Sequence, residues 1–474
     1  MLTINGLLQA LDVTVPPVEK DFELVEATID SRQVIPGSLF IALPGERVDG
    51  HNFVQSAFSN GSLVALISQP VEGEFPILDA RKPNSINHPL PEPPFCIRVD
   101  NTLEALQKAA SYWRNQLDLQ VIGITGSVGK STTKECVFEV VRQKYVALKN
   151  PGNFNNEIGV PLTILQLTEA HQCAVLEMGF YVAGEIRFLC DLAKPQVGIL
   201  TNVGLVHAER AGSQAAIAIG KAELVESLPS SGTAILNYDD PWVRGMKNKA
   251  RCRVFSYGLS RHADLWADKV NASSVEKIEL TLHHKGKEIS LSAPLAGEHS
   301  AYTILRAASA GLALGLSWDE IIAGLSRVQS FLRMESFHTR LGGLLINDSY
   351  NASPESMTAA LKLLSSLDGR KIAVLGNMYE VGIYETESHT EIGKIASQIV
   401  DELVVIGDKA RIIGESAICS GMSPSKVTFC GDTGEATGAL RDKLIEGTVT
   451  LLKGSHGLRM DRIAAELVES EDQL

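Results

Sequence analysis

The residues best able to do chemistry stand together as Gly126-Ser127-Val128-Gly129-Lys130-Ser131-Thr132. Two glycines let the backbone turn tightly and aim N–H groups inward, and a helix beginning there adds a partial positive charge. Lys130 can then reach the terminal phosphates of a nucleotide, and the Ser131 hydroxyl is placed for Mg2+. The full spacing G-x-x-x-x-G-K-[ST] is not met, because its first glycine would fall at Ile124. Nucleotide binding is therefore read from the flanks: an apolar strand expected over 119–124 and a helix expected over 131–143. The competing reading is a chance glycine turn with an exposed lysine.

Three more residues belong in the same argument. Glu177 closes a strand expected over 173–177, and His207 follows the next one, expected over 196–201. Both fall at the carboxyl edge of a parallel sheet, where open α/β folds place ligands. A carboxylate there suits a metal, and a neutral imidazole can complete the shell of a hard cation. A solvated strand-end glutamate and a structural histidine are the ordinary alternatives. Lys221, in Gly220-Lys221-Ala222-Glu223, reads by spacing alone as a solvated charge on a helix, paired with its acidic neighbour.

Positioning these side chains requires a sheet covered by helices. In the first hundred residues apolar runs at 39–43 and 64–68 flank a helix expected over 52–59, and the proline-rich stretch 89–94 reads as an extended surface segment. A helix over 103–116 precedes the loop strand. A strand over 233–237, a hairpin of 277–282 and 288–291 turning through 283–287, and an alanine-rich helix over 302–314 follow. After Gln329, strands near 343–348, 371–375, 402–406, 426–430 and 448–452 each lead into a helical stretch. Such alternation predicts an α/β protein with mainly parallel sheets. The divisions expected are 1–102, 103–329 and 330–474, in line with roughly 150 residues per domain.

With 45% hydrophobic residues the chain is globular throughout. Its 56 acidic against 43 basic residues give a net charge of -13, which repels a nucleic-acid backbone. The cysteines at 96, 136, 173, 190, 252, 419 and 430 include no CxxC pair, the pattern of reduced, buried thiols in a cytoplasmic protein. The first residues lack a cationic segment followed by an apolar run, and no stretch approaches ~18 apolar residues, so neither export nor a membrane span is expected.

These motifs carry a resemblance to the Mur ligases of peptidoglycan synthesis, and among them to the MurF type, through the whole chain. Asp30-Ser31-Arg32 and Asp49-Gly50-His51 resemble the segments that receive the UDP-sugar end. Residues 125–133 resemble the ATP loop, and Asn153-Phe154-Asn155-Asn156-Glu157 the asparagine-rich loop that follows it. Asp348-Ser349-Tyr350-Asn351-Ala352-Ser353-Pro354, Arg333-Met334-Glu335 and the segment from Lys453 to Met460 resemble elements of the third domain.

The resemblance implies a central P-loop-type ATPase domain and a C-terminal Rossmann-like domain. It implies that ATP and Mg2+ serve to join D-alanyl-D-alanine to a UDP-N-acetylmuramoyl-tripeptide through an acyl phosphate, in a monomer. By similarity Gly126 to Thr132, His299, Arg333 and Asp348 contact ATP. Ser31, Arg32, Asp49, His51, Asn155, Asn156, Tyr350 and Asn351 contact substrate. Ser131, Glu177, His207 and Lys221 hold metal, Lys221 as a carbamate, and Lys130, His207 and Lys221 are the catalytic set.

The chain departs from the family pattern at His299-Ser300-Ala301-Tyr302-Thr303, where two hydroxyls replace two amides, and at Leu332, Ser353, Asn377 and His456. Another amide ligase of the superfamily, of the MurE, folylpolyglutamate or cyanophycin type, is the nearest alternative. A nucleotide-binding regulator without turnover is the alternative from another class.

Overall fold

The computed structural model describes residues 1–14, 21–45, 48–81, 89–328 and 335–468. Three sheets organise them. The first contains β1 (Ala27–Thr28), β2 (Leu39–Ile41), β3 (Val64–Ile67), β4 (Ile77–Asp79) and β5 (Phe95–Arg98) in the order β1-β2-β3-β5-β4, all parallel.

The second contains β6 (Gln120–Thr125), β7 (Ala147–Lys149), β8 (Cys173–Glu177), β9 (Val197–Leu200), β10 (Thr233–Asn237), β11 (Arg253–Gly258), β12 (Leu265–Asn271), β13 (Ile278–His284) and β14 (Lys287–Ala293). Its order is β14-β13-β12-β11-β10-β9-β6-β8-β7. The pairs β9–β10, β10–β11, β11–β12 and β7–β8 are parallel, and β12–β13–β14 are antiparallel.

The third contains β15 (Glu335–His338), β16 (Leu344–Asn347), β17 (Arg370–Gly376), β18 (Glu402–Ile406), β19 (Val427–Cys430) and β20 (Thr448–Lys453) in the order β15-β16-β20-β17-β18-β19, parallel except for β15. The expected three-domain α/β plan with mainly parallel sheets is the observed one. By compactness the chain forms two units, one of residues 1–123, 145–179 and 185–196 and the other of 124–144, 180–184 and 197–474.

Local chemistry explains the elements. Helix Thr102–Gln116 starts where the Asn101 side chain accepts from the N–H groups of Leu103 and Glu104, and it buries Ala105, Leu106, Ala109, Ala110 and Trp113, a 3.6-residue stripe. The expected helix over 52–59 begins as a 3-10 turn, Gly50–Phe53, capped by Asp49.

The hairpin is tighter than expected. Its turn is only Lys285-Gly286, both at positive φ (48° and 76°), with His284 already paired to Lys287. A two-residue turn of this kind matches the twist of its strands, so the ladder extends beyond the apolar positions. The strands β1, β4, β5, β7, β11, β12 and β15 are additional to those expected.

In the second unit the helix that carries the glycine loop, Lys130–Val141, buries Thr133, Cys136, Val137, Val140 and Val141. Helix Trp318–Leu325 packs on its far end so closely that a Cβ at Gly324 would lie 2.5 Å from Val140 Cα and 2.6 Å from the Glu139 carbonyl oxygen. Backbone cannot yield there as a side chain can. Gly324→Ala is expected to lower unfolding free energy by about 1–3 kcal/mol through overpacking, measured as a reduced urea midpoint at unchanged slope.

Candidate active site

The glycine loop leaves the end of β6 and is shaped by close approach. Gly126 has φ +147°, and a Cβ there would lie 1.8 Å from Thr201 Oγ1; Gly129 has φ +82° and caps the helix Lys130–Val141. Asn202 then clamps the loop. Its backbone oxygen accepts from Ser127 N (2.9 Å) and its Oδ1 from Val128 N (2.9 Å). Ser127 Oγ accepts from Gly204 N at 2.8 Å. Lys130 Nζ lies over this turn, donating to the carbonyl oxygens of Gly126 (2.9 Å) and Ser127 (3.3 Å). Ser131 and Thr132 open the helix beside it.

His207 belongs to the segment that follows. It sits at φ +66° ahead of the short helix Ala208–Ala211. Its Nδ1 meets Glu380 Oε2 at 2.5 Å, and Tyr181 packs edge-on against the ring at 4.6 Å between centroids. Burial drives the imidazole pKa down to about 4 against the pull of Glu380, and the Lys130 charge adds to the fall. The ring is therefore neutral at pH 7. A carboxylate at Nδ1 holds the proton there and leaves the Nε2 lone pair as the donor.

Lys221 corrects its reading from spacing. On helix Gln214–Ser227 it is 1% exposed, not a solvated charge, and its Nζ lies 4.6 Å from the Phe180 ring centroid. Glu223 is turned elsewhere, accepting from Gly184 N at 2.7 Å. Gly220 has no room for a side chain, since a Cβ would meet Phe180 Cε2 at 2.1 Å. Burial first, and Lys130 second, hold the Lys221 amine well below its ordinary range. A neutral amine is the form that adds CO2.

In the first unit Glu177 ends β8 and is 2% exposed. Asn155 Nδ2 donates to its Oε1 at 2.8 Å, while Asn150 brackets its backbone, accepting from Glu177 N (2.9 Å) and donating to Glu177 O (3.0 Å). Asn156 does different work: its Oδ1 accepts at 2.9 Å from the N–H of Gly159, the first residue of the helix Gly159–Leu165. Ser31 is buried, Arg32 is exposed and forked onto Asp30, and His51 is locked between Asp49 (2.6 Å) and Ser68 N (2.9 Å). Both ring nitrogens of His51 are thus spent on holding its own loop.

Further along the second unit, Asp348 follows β16 and pairs with Lys453 at 2.6 Å; the same ammonium donates to Asn351 O at 3.0 Å. Tyr350 is exposed and tilted onto His456. Ser353 caps helix Pro354–Ser366. His299 stands exposed before helix Ser300–Ala313, and the two hydroxyls that replace amides are buried, Ser300 Oγ donating to Ala296 O (2.6 Å) and Thr303 Oγ1 accepting from Arg306 Nη2 (3.0 Å). Arg333 lies outside the described residues.

The structure thus brings Lys130, His207 and Lys221 into mutual electrostatic range, with both lysines felt by the imidazole. Among the described residues no group of three or more His, Cys, Asp and Glu could hold a metal by itself. The neutral, oriented His207 presents a lone pair of the kind that can ligate a metal. Asn202, Glu380 and Arg306 were not singled out from sequence; each acts across a long separation that local patterns do not register.

A nucleotide-type loop at the edge of a mainly parallel α/β sheet, with a neutral imidazole and a buried amine beside it, defines a phosphoryl-transfer class of protein. Comparison with known proteins agrees. Residues 25–114 match the Mur ligase family catalytic domain, 124–311 the Mur ligase middle domain, and 332–456 the Mur ligase, glutamate ligase domain.

The chain is 36% identical to the UDP-N-acetylmuramoyl-tripeptide–D-alanyl-D-alanine ligase of Bacillus subtilis, over 93% of this chain and 92% of that one. It is 30% identical to the Escherichia coli enzyme of the same name, over 98% and 97%. The solved MurF of Acinetobacter baumannii superposes with a TM-score of 0.83 at 28% identity, covering 98% of each chain. MurF of Thermotoga maritima in complex with ADP gives 0.78 at 25%, covering 93% and 96%. The chain belongs to the Mur ligase family.

Because the His207 pKa is depressed to about 4 in the folded protein, the unfolded state binds the extra proton between pH 4 and about 6.5. The stability held above about pH 6.5 is therefore lost as pH falls through that window. His207→Asn is expected to flatten the urea-unfolding free energy over this range by on the order of 2–3 kcal/mol relative to the parent.

Proposed function

We propose that this protein is the ATP-dependent ligase that joins D-alanyl-D-alanine to UDP-N-acetylmuramoyl-tripeptide, giving the pentapeptide with release of ADP and phosphate. The single observation that carries the reading is the 36% identity to a ligase of that name over 93% of this chain and 92% of that one. The UDP-substrate is assigned to residues 1–102, ATP to 103–329, and ATP with the dipeptide to 330–474. The negative charge of the chain disfavours nucleic acid. The protein is taken to act in the cytoplasm as a monomer. Among the described residues no helix is long and apolar enough to cross a membrane.

In this reading the tripeptide carboxylate attacks the terminal phosphorus of ATP, the bond to the leaving ADP oxygen breaks, and an acyl phosphate forms. The amine of D-alanyl-D-alanine then attacks the acyl carbon and expels phosphate. Phosphoryl transfer asks mainly for positioning and charge neutralisation. The start of the helix at Gly129 to Ser131 offers N–H groups to the phosphates, Asn202 holds Ser127 and Val128 in the loop, and Lys130 neutralises charge on the transferred group. Glu177 is braced by Asn155 for a cation, and Glu380 holds Nδ1 of His207, which leaves the Nε2 lone pair for a ligand. Mg2+, when held by Ser131, His207 and carbamylated Lys221, would add further charge neutralisation, and Glu177 is likewise assigned to a metal. Asp348, anchored by Lys453, and Arg333 are assigned to ATP, with His299 near the base. Ser31, Arg32, Asp49, His51, Asn155, Asn156, Tyr350 and Asn351 are assigned to substrate, His51 by fixing its loop.

Release of ADP is expected to require the UDP-tripeptide and D-alanyl-D-alanine together; release unaffected by omitting either would discard the assignment. Lys221→Ala should lower kcat by at least about a hundredfold if the carbamate is part of the charge-neutralising shell. Short-chain carboxylic acids added to that variant should restore a measurable part of the rate, and a variant that they leave unchanged argues against the carbamate.

A further inference from the structure

Arg306 is a buried cation that the reaction scheme above does not use. It lies in the middle of helix Ser300–Ala313 and is 4% exposed. Nε donates to Tyr302 O at 2.9 Å and Nη2 to Thr303 Oγ1 at 3.0 Å, and the guanidinium lies 6.0 Å from the Tyr257 ring centroid. No carboxylate forms an ion pair with it among the described residues. Nη1 is turned toward the phosphate loop: a Cβ built on Gly129 would lie 3.3 Å from Nη1, 3.5 Å from Nη2 and 3.8 Å from Cζ. The missing side chain of Gly129 is what lets the charge come so near.

An unpaired charge out of water is costly, and arginine does not escape by losing its proton. Such a group is tolerated where an anion arrives to meet its field. Gly129 is the residue from which helix Lys130–Val141 starts, so the guanidinium adds to the positive end of that helix and to Lys130. With little water between, its field at the loop is weakly screened.

We propose that Arg306 is a positioning residue for the nucleotide phosphates, acting through the loop from behind Gly129. This rests on the nucleotide-binding part of the proposed function. Thr303, one of the hydroxyls standing where an amide is usual in the family, holds Nη2 and so fixes the direction of the charge.

Titration calorimetry with ADP and with AMP on the full-length protein tests this, using Arg306→Met, Arg306→Gln and Arg306→Lys. Gln keeps a donor for the helix without charge, Met keeps only bulk, and Lys keeps the charge. Both uncharged variants should bind ADP roughly ten- to a hundredfold more weakly, lose less for AMP, and leave the thermal midpoint of the ligand-free protein unlowered. Lys should recover most of the ADP affinity. If either folded uncharged variant binds ADP within about twofold of the parent, or Lys binds ADP as weakly as Gln, the proposal is wrong. A purely structural arginine would instead lower the ligand-free midpoint and weaken ADP and AMP alike. A parent protein that binds no ADP overturns both readings, whereas ADP binding without amide formation overturns only the ligase assignment.

Discussion

The centre depends on how closely the glycine loop approaches the end of β9. A Cβ at Gly126 would overlap Thr201 Oγ1 at 1.8 Å, so only glycine lets β6 hand the chain to the loop at this distance. Once there, the loop falls within reach of Asn202, and the two bonds that residue makes fix Ser127 and Val128. The same strand-end segment continues to His207. One steric allowance therefore sets the phosphate cradle and, through five residues of chain, the metal-competent imidazole.

That segment is held from the other side by side chains far along the sequence. Leu205 N donates to Glu355 Oε1 at 2.9 Å, and Leu205 packs against the core of the C-terminal sheet. Glu209 N donates to Glu380 O at 3.2 Å, and Gly382, at φ +60°, leaves room for the Glu209 backbone. The imidazole is oriented only because the residues around Glu355 and Glu380 are folded onto this segment. The C-terminal α/β region thus supplies the carboxylate that holds the proton on Nδ1 of His207.

Much of this was legible in the sequence. The strand, glycine turn and helix around Lys130 came from local periodicity and turn chemistry, and β8 and β10 were read to their end residues because each is a short apolar run bounded by polar residues. The misreading of Lys221 has a physical cause. Helix Gln214–Ser227 has buried residues without a break from Gly220 to Val225, so Lys221 falls in a stretch that offers no solvated face. Periodicity arguments assume such a face. Asn202, Glu380 and Arg306 escaped because their partners lie 74, 173 and 177 residues away, and hydrophobic patterning carries no information on pairing at that range.

Desolvation acts on three nitrogen bases at this centre with three different chemical outcomes. His207 loses its charge and becomes a directed lone pair, because its other nitrogen is bound to a carboxylate. Lys221, buried with Phe180 against it and Lys130 repelling it, is held well below its ordinary range, which favours the uncharged amine that is a nucleophile toward CO2. Arg306 is buried as deeply and its pKa is lowered by the same cause, yet guanidinium starts from so high a value that it stays a cation. Residue type therefore decides what burial makes of each group: a donor, a modifiable amine, or a fixed charge.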